Sequence, residues 1–146
     1  MCSSDLIDRI LVFTNVNLKT REEVYQFVVK QEFPSDIENA KKLSRELVDR
    51  EAQGNIQIAE SIVLPHAECN YIQRSKLLLI KTQRSIDTWS SDIHDIKVVI
   101  VMLLKSDESR NVKMQFVDIM RQLGKDELIE QLLSEDDPEL LLKLLS

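Results

Sequence analysis

Apolar and polar positions repeat on two different periods along the 146-residue chain, and the switch between periods marks its elements. Residues 10–16 form an apolar run rich in β-branched side chains, which predicts a first strand. Thr20 followed by Glu23 has the form of a capping box, in which a hydroxyl and a carboxylate each satisfy a free amide. Val24, Phe27 and Val28 then share one face, so a helix is predicted over 20–31. Ser35 with Glu38 repeats the device after Pro34. Ile37, Ala40, Leu43, Leu47 and Val48 continue at helical spacing to about Arg50, and Gly54-Asn55 supplies the turn that follows. Met1 to Arg9 is polar and carries no decisive pattern.

The next stretch, Ile58-Ala59-Glu60-Ser61-Ile62-Val63-Leu64-Pro65-His66-Ala67, predicts a short buried strand that ends abruptly in Pro-His. Proline fixes its own φ and pushes Leu64 into an extended conformation, so the imidazole of His66 arrives with little freedom left to lose. Residues 77–80 and 97–104 predict two further strands, the second so uniformly apolar that it belongs at the sheet centre. The segment between them, 82–96, is polar and holds Trp89 and His94. Met114, Phe116, Val117, Met120 and Leu123 form a helical stripe, read as core, which Gly124 ends. Asp126 is positioned to cap a short helix carrying Leu128, Ile129, Leu132 and Leu133, and Asp137-Pro138 opens a last helix through Leu145. Strands interleaved with helices on this scale imply an α/β fold with helices covering both faces of a central sheet.

Composition narrows the class. A chain of 146 residues with 43% hydrophobic and 30% charged positions suits a single domain, 1–146, with one substantial core. Net charge is −6 and no block of basic residues occurs, so there is no electrostatic footprint for a nucleic acid. Apolar runs such as 98–104 fall far short of the roughly 20 residues of a membrane helix. Asp5, Asp8 and Arg9 interrupt any signal-peptide core, and a cytoplasmic protein is expected. Cys2 and Cys69 are expected to be free thiols. With Gly54 and Gly124 as the two glycines, neither a Walker A loop nor a dinucleotide fingerprint can be built, and no cofactor is expected. His66, Cys69 and His94 could converge with a carboxylate on a metal, but the paired ligand spacing of a zinc site is missing.

Candidate chemistry therefore concentrates at His66. A neutral imidazole is a competent nucleophile toward phosphorus, although a histidine at a strand end is also often simply structural. Arg50, close to the end of its helix, could face solvent, pair with Glu51 or swing toward His66. His94 is expected at the surface or at a sheet edge. The run from Glu51 through Ile58-Ala59, Ile62 and Leu64-Pro65-His66-Ala67, with a likeness that continues upstream in Asp49-Arg50-Glu51, resembles the active-site signature of a known family. It is similar to the enzyme IIA components of the fructose/mannitol class of the bacterial phosphoenolpyruvate-dependent sugar phosphotransferase system. Val63 departs from it, standing where that family usually has alanine. The likeness extends over nearly the whole chain from about Thr20.

This resemblance implies a three-layer α/β sandwich, with a central mixed β-sheet and helices on both faces. It also implies a phosphotransferase with a phosphohistidine intermediate. HPr, phosphorylated on its own histidine, would pass the phosphoryl group to His66. His66 would pass it to a cysteine of a sugar-specific IIB component, through which the protein would meet a membrane IIC component. Arg50 would clamp the phosphate. Mannitol and fructose relatives carry a second active-site histidine opening the helix after the central strand. Here that region is Arg110-Asn111-Val112-Lys113-Met114, and the apolar stripe puts Lys113 at the corresponding place. Galactitol-type relatives also lack that histidine, and the chain leans toward them. A second implied role is that of a regulatory domain in a sugar-responsive transcription activator, phosphorylated as a signal.

Overall fold

The structure, a computed structural model, describes residues 2–146, with side chains from Leu6 onward. The elements run α1 (Cys2–Arg9), β1 (Ile10–Val16), α2 (Arg21–Glu32), α3 (Ile37–Gln53), β2 (Gln57–Ala59), β3 (Ile62–Val63), β4 (His66–Cys69), β5 (Lys76–Thr88), β6 (His94–Lys105), α4 (Arg110–Gln122), α5 (Asp126–Ser134) and α6 (Pro138–Leu145).

The sheet grows outward from β5 and β6, because residues 77–80 and 98–104 are apolar at every position. They run antiparallel, with Leu78 opposite Val101 and Leu79 opposite Ile100. Alternation then divides the side chains between two cores. Leu78, Ile80, Val99, Val101 and Leu103 pack with Val24, Tyr25, Val28, Leu43 and Leu47 under α2 and α3. Leu77, Leu79, Val98, Ile100 and Met102 pack with Val112, Phe116, Ile119, Leu132 and Leu141 under α4, α5 and α6. Helices on both faces explain why neither of these apolar stretches has a polar side. The result is a three-layer α/β sandwich around one mixed sheet of order β1-β5-β6-β3-β2, with β4 also paired to β6.

The stretch leading to His66 differs from the single strand expected. Ile58 and Ala59 belong to β2, the chain reverses at Glu60-Ser61 with Ser61 at φ 69°, and β3 returns antiparallel to it. β3 and β4 then lie end to end along β6, both parallel to it. Ile62 is opposite Val98, and His66 is opposite Met102. The break between them is Leu64-Pro65, where proline brings no N–H to the ladder, although its carbonyl still accepts from the Met102 amide at 3.0 Å. His66 therefore opens a strand instead of closing one.

Other departures have local causes. Thr20 caps α2 by accepting from the Glu23 amide at 3.1 Å, but Glu23 reaches the Lys19 amide, so the reciprocal half of the box is shifted by one residue. Asp36, not Ser35, caps α3, accepting from the Asn39 amide at 3.0 Å, and the helix runs on through Gln53. Lys125 occupies the N-cap position of α5, leaving Asp126 as the first helical residue. β5 and β6 are longer than predicted, because Ile86, Trp89, Ile93 and Ile96 are buried and carry the hairpin through the polar segment 82–96. The buried face of α4 is Val112, Phe116, Ile119 and Leu123. Met114 and Met120, expected in the core, are 43% and 48% exposed, and Val117 is exposed beside them.

Candidate functional site

His66 and Arg50 are brought together by two neighbouring element ends. His66 is the first residue of β4, half-buried, with its ring held from both sides. Its Nδ1 lies 3.3 Å from the carbonyl oxygen of Leu64, and its Nε2 lies 3.1 Å from Nε of Arg50. A carbonyl can only accept and a guanidinium N–H can only donate, so this arrangement fits the tautomer with a proton on Nδ1 and a lone pair on Nε2.

Arg50 sits in the last turn of α3, where its positive charge also complements the negative end of the helix dipole. Its side chain is exposed, and its other contact is with Oε1 of Gln53 at 3.5 Å. Of the three courses open to Arg50 from sequence, the structure has the one toward His66. Together the two residues line a cleft of about 190 Å³ with Gln53, Gly54, Asn55 and Ile56. The cleft is polar and open at a nucleophilic nitrogen beside a cation, an arrangement suited to a small anionic group.

Glu51, the next residue on α3, points the other way. Its carboxylate accepts from the Tyr25 hydroxyl at 2.6 Å, from Nε1 of Trp89 at 3.0 Å and from the Arg21 guanidinium at 3.4 Å. Burial, then the Glu51 carboxylate, pushes the Tyr25 phenol far above its ordinary value, so it remains a proton donor to Glu51. Tyr25 and Trp89 meet edge to face, their ring centres 5.6 Å apart. Sequence reading passed over this cluster.

Lys113 is exposed in the first turn of α4 and is not among the residues that line the cleft. His94 is the first residue of β6 and is exposed. Since His66 is opposite Met102, His94 lies eight residues earlier along β6, about 25 Å away by strand rise. Cys69 is a buried free thiol within the core beneath α2 and α3, and burial pushes its pKa up. Register and burial thus keep His66, Cys69 and His94 from converging. Among the described residues no group of three or more His, Cys, Asp or Glu side chains could hold a metal ion. No helix among them is long and apolar enough to cross a membrane.

A mixed-sheet sandwich that presents one histidine against one arginine at its rim shares its architecture with solved phosphotransferase-system IIA proteins. The chain belongs to the family described as phosphoenolpyruvate-dependent sugar phosphotransferase system, EIIA 2, whose model matches residues 5–146. Among solved structures, the nitrogen regulatory protein IIA-Ntr of Neisseria meningitidis superposes with a TM-score of 0.74 at 13% identity, covering 96% of this chain and 94% of that one. IIA mannitol of Escherichia coli gives 0.62 at 17% identity, covering 92% and 95%. The complex of Escherichia coli enzyme IIA mannitol with phosphorylated enzyme IIB mannitol gives 0.64 at 16%, covering 92% of both chains. In sequence, the multiphosphoryl transfer protein of Shigella flexneri is 21% identical in an alignment 141 residues long that covers 92% of this chain. The match spans only 16% of that relative's length.

Proposed function

We propose that this protein is a phosphocarrier in which Nε2 of His66 accepts a phosphoryl group from phospho-HPr and hands it to a cysteine of a sugar-specific IIB component. The observation that carries this reading is the pair of contacts on the His66 ring, to Leu64 through Nδ1 and to Arg50 through Nε2. With the proton on Nδ1, the Nε2 lone pair forms the new N–P bond as the P–N bond to the donor's histidine breaks, and the donor ring keeps that electron pair. The accepting ring gains positive charge, and the Leu64 carbonyl stabilises it through the Nδ1–H. Arg50 holds the lone pair in the resting state. Once that lone pair is used, its N–H groups turn to the phosphoryl oxygens, where charge is spread in a loose transition state. Return transfer to a thiolate reverses the same steps. A phosphorylated IIB appears with the mannitol IIA in one of the structures that share this fold, in keeping with such a partner.

Lys113 enters this reading as a second cation, placed at the start of α4 to attract a negatively charged donor instead of touching His66. Incubation with phosphoenolpyruvate, enzyme I and HPr is expected to give an acid-labile mass increase that His66→Ala abolishes and His94→Ala leaves intact. Loss of the label in His94→Ala with retention in His66→Ala would overturn the assignment. Phosphorylated protein that a IIB component never discharges would instead point to a regulatory mark.

A further inference from the structure

Arg50 lies where a helix is least constrained. The last four carbonyls of α3 lack intrahelical partners, and Gly54 closes the helix only through a 3.4 Å contact from its amide to the Glu51 carbonyl. Arg50 itself is exposed, so packing does not fix its direction. The restraint on this turn comes from the adjacent side chain. Glu51 is only 9% exposed, and its carboxylate is bound by three donors from two other parts of the chain. Arg21 and Tyr25 come from α2, and Trp89 comes from the end of the β5–β6 hairpin. A buried carboxylate so placed is costly unless all its donors stay in position, which makes the cluster rigid. Tyr25 and Trp89 are themselves 1% and 3% exposed and cannot follow a fraying helix end.

We infer that Glu51 is a positioning residue. Its carboxylate, tied to Tyr25, Trp89 and Arg21, sets the last turn of α3 so that Arg50 meets Nε2 of His66. The inference rests on the phosphocarrier reading for its kinetic consequence, but not for its structural one. Because consecutive helical residues are offset by about 100°, a turn anchored inward through Glu51 delivers Arg50 outward in one direction. A slack anchor would let the guanidinium swing into solvent, and misplacement of a positioned group by about 1 Å costs up to a hundredfold in rate.

The test uses Glu51→Gln and, should that variant fold poorly, Trp89→Phe, which keeps a ring and removes one donor. Each is made in the parent and in Arg50→Ala, and phosphorylation by phospho-HPr is followed at saturating and limiting donor. Either variant is expected to lower the maximal rate about tenfold in the parent, with the donor KM nearly unchanged, and to add no further loss once Arg50 is gone. An equal loss in both backgrounds, or none in the parent, would overturn the inference. Nitrogen-15 resonances of the His66 ring give a second readout that needs no phosphoryl transfer. The Nε2 signal is expected to move in Trp89→Phe toward its position in Arg50→Ala, and an unmoved signal also overturns the inference. A parent that accepts no phosphoryl group would overturn the proposed function, while the ring resonances would still decide the part played by Glu51.

Discussion

At the scale of single residues, the two side chains facing the cleft have different exposures to risk. Arg50 is exposed and packs against nothing in either core, so Arg50→Ala is expected to leave the melting temperature nearly unchanged. The same change removes a charge-assisted hydrogen bond, worth about 1.5–3 kcal/mol, and should slow phosphorylation by roughly tenfold or more. Arg50→Lys should recover only part of that, because an ammonium keeps the charge but lacks the planar fork that can serve Nε2 first and the phosphoryl oxygens afterwards. Rates from quenched mass spectrometry, set beside thermal melts, check both; equal rates for Arg50→Ala and parent would remove Arg50 from the site. Lys113→Ala acts at longer range, so its effect should be largest at low salt and fade as the Debye length shortens. An effect unchanged by salt would argue for direct contact instead. His66 and Arg50 were legible in the sequence because their motif is local and proline marks the aim. Glu51 stood in the same motif but its part in the fold was not legible, since its partners lie 26, 30 and 38 residues away and a glutamate beside an arginine looks like a solvated pair.

At the scale of elements, local chemistry was readable wherever one residue decides the outcome. β1, the cap of α2 at Thr20, and α6 with Asp137 and Pro138 follow directly from their residues. Where two residues compete, only packing decides. Ser35 and Asp36 both precede the apolar face of α3, and Asp36 holds the Asn39 amide while also accepting from the Asn39 side chain at 2.8 Å. Asp36→Ala should therefore cost about 1 kcal/mol in denaturant unfolding and Ser35→Ala close to nothing. The reverse order would mean that the cap lies one residue earlier. The β2–β3 turn was hidden for a similar reason: Glu60 and Ser61 interrupt an apolar run by two polar residues, which alternation alone cannot distinguish from one strand with a solvent face. On α4, apolar residues fall on adjacent faces. Only contact with β5 and β6 shows that Phe116 and Ile119 go inward while Met114 and Met120 stay out.

At the scale of the molecule, the layer order was legible because the apolar stretches 77–80 and 98–104 need cover on both faces, whereas the order of strands depends on pairings that no local pattern encodes. One such long-range closure joins the end of α1, the residue just before β5 and the loop after β6. Arg9 donates to the Ser75 carbonyl at 3.0 Å and lies 3.6 Å from Glu108, while the Glu108 carboxylate accepts from the Ser109 amide at 3.0 Å. Burial works to raise the Glu108 pKa. The hydrogen bonds from Ser75 and the Ser109 amide, with the charges of Arg9 and Lys105, outweigh it and hold the group below its ordinary value of 4.5. A carboxyl whose folded pKa is depressed contributes stability that is fully present above its unfolded value and is lost as pH falls through the folded one. Glu108→Gln keeps the shape and removes the charge. The variant should therefore melt below the parent at neutral pH, and the two melting temperatures should converge as pH drops below 4.5. A gap that stays constant from pH 7 to below that value would show that the closure depends on shape and neutral hydrogen bonds and not on the charge of Glu108.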